Sequence, residues 1–212
     1  MQATILGTRA AIIGDLVSSR TVGVRSEVQE QIDAALGRVN ARFEPEQPFR
    51  FTVGDEFQGL LGSVEAAVLA ALWIRLETTG VIGVRMGIGW GELEILDAAR
   101  SPILQDGPCW WRAREAIKMV ASWEDANQSP NSTSTLVVTG DDRQDSFNAG
   151  LVLVDFILNG FDRADALIAT MLLDGSTQEQ AAVRLKVNKS SVSRRMQSHG
   201  IAALLTSMRM FS

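Results

Sequence analysis

Asp15, Asp55 and Glu56 are placed where carboxylates can hold a hard cation against a triphosphate. The apolar run Ala10-Ala11-Ile12-Ile13 leads into Gly14-Asp15, and Phe49-Arg50-Phe51-Thr52-Val53 leads into Gly54-Asp55-Glu56-Phe57. Short runs of this kind form buried strands, so the acidic groups are expected at strand ends. Magnesium takes one or two carboxylates and fills its other positions with water and phosphate oxygens. Asp15 and Asp55 are the primary pair. Glu56 is a third metal candidate, which hairpin geometry can turn to solvent. Ser18, Ser19 and Arg20 follow closely and suit phosphate contact. The competing reading of either aspartate alone is a turn or helix cap, because Asp side chains bond nearby backbone amides.

The elements that would position these groups follow from periodicity. Residues 8–14 read as a strand, and Val24, Val28, Ile32, Leu36, Val39 and Phe43 recur at helical spacing. Pro45 and Pro48 stop that helix. Phe49, Phe51 and Val53 alternate as a half-buried strand, Gly54-Asp55-Glu56 makes a hairpin turn, and residues 57–61 return antiparallel. A second helix runs from Val64 to Glu77. Val84, Met86 and Ile88 then alternate in a strand that can continue through Ile95. Gly107-Pro108 opens a third helix with Trp110, Ala113, Ile117 and Val120 inward. A short strand at residues 136–138 and a fourth helix marked by Phe147, Leu151, Val154 and Leu158 follow. The order β-α-β-β-α-β predicts an α+β, ferredoxin-like antiparallel sheet with helices on one face. In that order the first strand neighbours the hairpin, which would bring Asp15 and Asp55 together.

Asn159-Gly160 is the expected linker between a domain of residues 1–160 and one of residues 161–212. The net charge of −5 is unevenly spread. Seven basic against four acidic residues give 161–212 a net +3, leaving −8 for the rest. Asp162 caps a helix over 163–173, and Ser176 with Glu179 has the spacing of a capping box. The next helix buries Ala181, Ala182 and Leu185, and Lys186-Val187-Asn188 forms a turn. A third helix over 189–198 turns Val192 and Met196 inward, with Val187 and Val192 fixing the crossing angle. This is a helix-turn-helix pattern. Lys189, Ser190, Ser191, Ser193, Arg194 and Arg195 lie outward as candidate DNA contacts, with short polar side chains and arginines for base edges and phosphates. A plain helical bundle or a protein-docking module is the alternative for this segment. His199 is read as a solvated or backbone-bonded residue.

Cys109 is the sole cysteine, which rules out an internal disulfide and a cysteine-rich zinc site, and with His199 the sole histidine, His-based metal sites and Ser-His or Cys-His catalysis within one chain are not expected. Cys109 reads as a small packed hydrophobe. No apolar run reaches bilayer-spanning length and no basic start precedes a long apolar block, so a cytoplasmic protein without membrane association is expected.

Ile13-Gly14-Asp15-Leu16-Val17-Ser18-Ser19-Arg20, Val53-Gly54-Asp55-Glu56-Phe57-Gln58-Gly59-Leu60 and residues 107–116 resemble the SatD family of bacterial proteins. More distantly, residues 8–120 are similar to class III nucleotidyl cyclases and GGDEF diguanylate cyclases. That resemblance implies two metals held by Asp15 and Asp55, with phosphates over the backbone following Asp15. Arg85-Met86-Gly87-Ile88-Gly89 resembles the cyclases' Arg-x-Gly-Ile strand. The cyclases place an Asn four and an Arg eight positions after the glycine matching Gly107, where this chain has Trp111 and Glu115. Arg114, one residue away, is the remaining candidate for nucleotide contact, and Trp110 and Trp111 could stack a base. Phe51 replaces the lysine of the adenine-reading pattern. Electrostatic stabilisation is usually the largest catalytic contribution, so these departures favour binding over turnover. The expected function is therefore a homodimeric transcriptional regulator that senses a purine nucleotide with magnesium and binds DNA. An active cyclase or nucleotidyltransferase with a partner-docking tail is the alternative.

Overall fold

Residues of the first strand, β1 (Thr4–Leu16), alternate between two hydrophobic cores on opposite faces of one sheet. The computed structural model describes residues 4–17, 25–52, 54–97, 104–125 and 133–211. After β1 come α1 (Arg25–Phe43), β2 (Gln47–Phe51), β3 (Glu56–Leu61), α2 (Val64–Thr78), β4 (Val84–Asp97), β5 (Leu104–Asp106), α3 (Pro108–Asp125), β6 (Thr135–Val138) and α4 (Arg143–Asn159). The sheet runs β2-β3-β1-β4-β5 with antiparallel neighbours. Met86 to Gly89 of β4 also pair with β6 in parallel. This is the α+β, ferredoxin-like arrangement that the order of elements predicts.

Ala10, Ile12, Phe57, Met86 and Ile88 point to the face covered by α1 and α2, where they meet Ile32, Leu36, Val68 and Leu72. Ala11, Ile13, Leu60 and Leu93 point the other way and pack against Cys109, Ala113 and Ile117 of α3. Helices thus cover both faces, where the sequence pattern suggested one. The cause is a strip of glycines along β4. A Cβ on Gly87 or Gly89 would come within 2.3 Å or 2.1 Å of the α3 backbone, so only a bare strand lets α3 settle there.

Four further helices follow: α5 (Arg163–Leu173), α6 (Gln178–Leu185), α7 (Lys189–Ser198) and α8 (Ile201–Met210). Their apolar residues Ala166, Ile168, Ala182, Val192, Leu204 and Met208 belong to the same buried cluster as α2 and the sheet. Asp162 caps α5 as expected, through bonds to the amides of Ala164 and Asp165. The next cap differs by one residue: Thr177 and Gln180 form the box, not Ser176 and Glu179. The Ser176 amide is already committed to Met171 O, which closes α5 over a left-handed Gly175. Val187 is 46% exposed and does not fix a helix crossing, a task left to fully buried Val192. α8 adds a helix that the sequence reading omits. Among the described residues no helix is long and apolar enough to cross a membrane.

Candidate functional site

One row of side chains crosses the α3-facing side of the sheet. Asp15 pairs in register with Glu56 of β3 on one side and Arg85 of β4 on the other. Gly14 fixes this register locally. The Phe57 ring occupies the space of its missing side chain, and a Cβ there would come within 2.2 Å of the ring. β1 continues through Leu16, so Asp15 lies within the strand rather than after it.

Each carboxylate is held by an arginine. Arg85 donates Nε to Asp15 Oδ1 at 2.9 Å and Nη2 to Oδ2 at 3.1 Å. Arg114, reaching down from α3, donates Nη2 to Glu56 Oε1 at 2.8 Å and Nη1 to Oε2. Such forked pairs are geometrically specific as well as strong. Gln58 Nε2 adds a third bond to Glu56 Oε1 at 2.9 Å. Hydrogen bonding to Arg114 outweighs partial burial and holds the Glu56 carboxyl below its ordinary value. The same bond raises Arg114, whose charge also feels Asp15.

The structure therefore pairs Asp15 with Glu56, where the sequence favoured Asp55. Asp55 sits in the β2–β3 turn, close enough for its charge to oppose ionisation of Glu56. Arg85 carries no assigned role in the sequence reading. The signal for it was the alternation that sets Arg85 on the same face as Gly87 and Gly89. Ser18, Ser19 and Arg20 lie outside the described residues.

Beside the charged row opens a cleft of about 1030 Å³. Ile13 and Gln58 form its floor, Gln47 and Gln105 one side, and α3 the other with Trp110, Arg114 and Lys118. Its volume is at the upper end for small-molecule sites. The indole Nε1 of Trp110 is buried with no hydrogen-bond partner among the described residues. Trp111 is 60% exposed and donates its indole N–H to Asp106 at 2.7 Å. Glu115 also lines the cleft, at the position where the cyclase pattern has arginine. Cys109 is fully buried, and burial pushes its thiol up to about 11, so it is no nucleophile.

Two carboxylates suit magnesium, which leaves its other positions to water and phosphate. Among the described residues no group of three or more His, Cys, Asp or Glu could hold a metal. Asp15 and Glu56 are the residues that could hold such a cation.

In the tail, Lys189, Ser190 and Arg194 are exposed, while Ser191 and Ser193 are half-buried. Ser190 and Ser191 donate to the Asn188 side chain, which caps α7. Lys189 lies 3.5 Å from Glu179. Arg195, expected outward, turns back instead. Its Nη1 donates to both oxygens of Asp162 at 3.0 Å and 2.9 Å and to Asp165 Oδ1 at 2.8 Å. His199 is not merely solvated either: its Nδ1 lies 2.8 Å from Oδ2 of the buried Asp165. A carboxylate that is almost wholly enclosed needs such partners, and α7 supplies them.

Comparison with solved structures agrees with this architecture. A bacterial light-regulated adenylyl cyclase superposes with a TM-score of 0.50 at 10% identity, over 71% of this chain and 46% of that one. The adenylyl cyclase CyaB from P. aeruginosa gives 0.47 at 12% identity, over 69% and 82% of the two chains. The catalytic core of a rhodopsin-guanylyl cyclase, solved with ATPαS, gives 0.43 at 16% identity, over 56% and 75%. At these identities the likeness is one of fold. No curated protein matches the chain. The SatD family model matches residues 9–210, nearly the whole length, so strand row, glycine strip and helical tail fall within one family pattern: this protein belongs to the SatD family.

Proposed function

We propose that this protein binds a purine nucleotide with magnesium in its cyclase-like palm, and that residues 161–212 form a helix-turn-helix domain that binds DNA. It would act as a homodimeric transcriptional regulator. The observation that carries the ligand reading is the row of Glu56, Asp15 and Arg85 capped by Arg114, beside a cleft large enough for a nucleotide. Carboxylates for a cation and guanidiniums for phosphate are the two donor types that such a ligand requires. Magnesium, when bound, would neutralise phosphate charge. The chain's own groups would orient the ligand, Arg114 at the phosphates and Trp110 along the cleft wall.

Binding without turnover is favoured by α3. Glu115 places a negative charge where a cyclase would stabilise developing negative charge, and Trp111 is tied to Asp106. The test is a thermal melt of the full chain with magnesium plus ATP or GTP, beside Asp15→Asn under the same conditions. A rise in Tm in the wild type that Asp15→Asn abolishes is expected, and equal melting in all samples would remove the reading. Incubation with labelled ATP or GTP and metal should show retention without product, whereas cyclic or transferred product would establish the enzyme alternative.

For the tail, the DNA-binding reading is supported by the succession of α6, the Lys186 to Asn188 turn and α7, with Lys189, Ser190 and Arg194 exposed. Ligand control of DNA binding requires the nucleotide to favour one DNA-competent arrangement over another.

A further inference from the structure

We propose that Arg85 and Arg114 are phosphate ligands held in reserve as counter-ions of Asp15 and Glu56, so that the site takes magnesium and a polyphosphate together and takes neither alone. The inference rests on the nucleotide-binding reading above and specifies how that site is regulated by its own charges.

Asp15 and Glu56 lie directly opposite on neighbouring antiparallel strands, a placing in which two like charges repel. Arg85 and Arg114 relieve that repulsion with a forked pair each, and the four groups sum to no net charge. A guanidinium cannot escape by losing its proton. Magnesium arriving alone must take oxygens already bonded to arginine, and it leaves two unpaired guanidiniums beside a divalent cation. A polyphosphate arriving alone must draw the arginines off and leaves two bare carboxylates beside added negative charge.

Arriving together, the two exchange partners with the site: carboxylate oxygens turn to the metal and guanidiniums to phosphate oxygens. Every charge then keeps an opposite neighbour. Two further contacts make the exchange continuous with the cleft. Arg114 lines both the charged row and the cleft wall. Gln58, on the cleft floor, donates to Glu56. The indole N–H of Trp110 in the same cleft, without a partner among the described residues, marks a place where an acceptor atom of the nucleoside would repair a buried deficit. Coupling of this kind is reciprocal: each ligand raises the affinity for the other by the same factor.

The experiment titrates the full chain with manganese as a paramagnetic stand-in for magnesium. Bound metal is read by electron paramagnetic resonance with and without a non-hydrolysable triphosphate. Triphosphate binding in EDTA is read by calorimetry. The wild type should bind metal at least ~10-fold more tightly with triphosphate than without, within the range usual for linked sites. Arg85→Gln and Arg114→Gln, singly and together, should gain metal binding without triphosphate and lose most of the coupling. Tight metal binding to the wild type alone, or triphosphate binding unchanged by EDTA, overturns the proposal and leaves the nucleotide reading standing. Arginine variants that bind no metal alone, or that bind triphosphate as the wild type does, also overturn it. If no combination binds the wild type, both the site and this inference fall. The wild-type coupling is read without any variant, so it decides between these outcomes even where a variant does not fold.

Discussion

Asp15 and Glu56 stand opposite one another across the β1–β3 ladder, and each is claimed by a different arginine from a different element. One arginine comes from the neighbouring strand and one from the helix above, so the row ties β1, β3, β4 and α3 at one end of the sheet. The same contacts that stabilise the strand end therefore set the charges a ligand would meet. Removing either carboxylate changes both.

Glu56 gives this relationship a pH signature. Its folded-state carboxyl lies below the ordinary 4.5, chiefly because of the bond to Arg114. A depressed carboxyl contributes stability above its unfolded value and loses it as pH falls through the folded value. The Tm of the wild type should thus fall below about pH 4.5, and Glu56→Gln should flatten part of that fall while lowering Tm at neutral pH. Melts at intervals from neutral pH to about pH 3 check it. Parallel curves for the two proteins would mean that the Arg114 pair contributes nothing in solution.

The glycines of the fold should separate sharply by substitution. In Gly89→Ala the new methyl would sit 2.1 Å from Cys109 O and 2.2 Å from Ala113 N, backbone atoms that cannot yield without moving α3. Overpacking of this kind costs about 1–3 kcal/mol or more. Gly37→Ala, on the exposed side of α1 with nothing within 4 Å, should stabilise by roughly 0.5–1 kcal/mol, because alanine favours the helix. Urea unfolding of both variants measures the contrast.

Much of the architecture was legible because apolar spacing is a local signal. Val28, Ile32, Leu36 and Val39 mark α1, and Asp162 marks the start of α5 at the residue observed. What pattern could not reveal were relationships set by register and by tertiary contact. Strand register, fixed by the Gly14–Phe57 packing, sets Glu56 directly opposite Asp15. The alternation of Arg85 with Gly87, Gly89 and Gly91 did hold the face to which α3 packs, but it read as a half-buried strand until a helix was set against it. Arg195 and Arg194 are neighbours of one type in sequence. Only the position of Asp165 tells the structural one from the exposed one.

A buried ion pair fastens α4 to α2 and to the entry of β6. Arg75 Nη1 lies 3.1 Å from Asp155 Oδ1, and Asp155 Oδ2 accepts the amides of Ser134 and Thr135 at the entry to β6. Burial raises the Asp155 carboxyl and lowers Arg75, each opposed by the charge of the other. Arg75→Met leaves an enclosed carboxylate without its cation and should cost about 3–5 kcal/mol. Asp155→Asn added to it keeps an acceptor for the β6 amides and removes the stranded charge, so the double variant should be more stable than Arg75→Met alone. A double-mutant cycle by chemical denaturation tests this. Strict additivity would show that the pair is not coupled.

Arg194 and Arg195 make the closing contrast. Arg194 is exposed on α7, whereas Arg195 bridges α7 to Asp162 and to the nearly fully buried Asp165 at the start of α5. If the tail binds DNA through the outer face of α7, Arg194→Ala should weaken binding and reduce its salt dependence with Tm unchanged. Arg195→Ala should instead lower stability by about 1–3 kcal/mol, since Asp165 loses its guanidinium partner and is left, among the described residues, with the Asp162 amide and His199. Any loss of DNA binding in Arg195→Ala should then follow the unfolded fraction and return when temperature is lowered. Fluorescence anisotropy on a random-sequence duplex at two salt concentrations, read beside thermal melts, separates the two. Arg194→Ala binding DNA as tightly as the wild type, with the same salt slope, would leave α7 as a packing element of a helical bundle and end its assignment as a DNA reader.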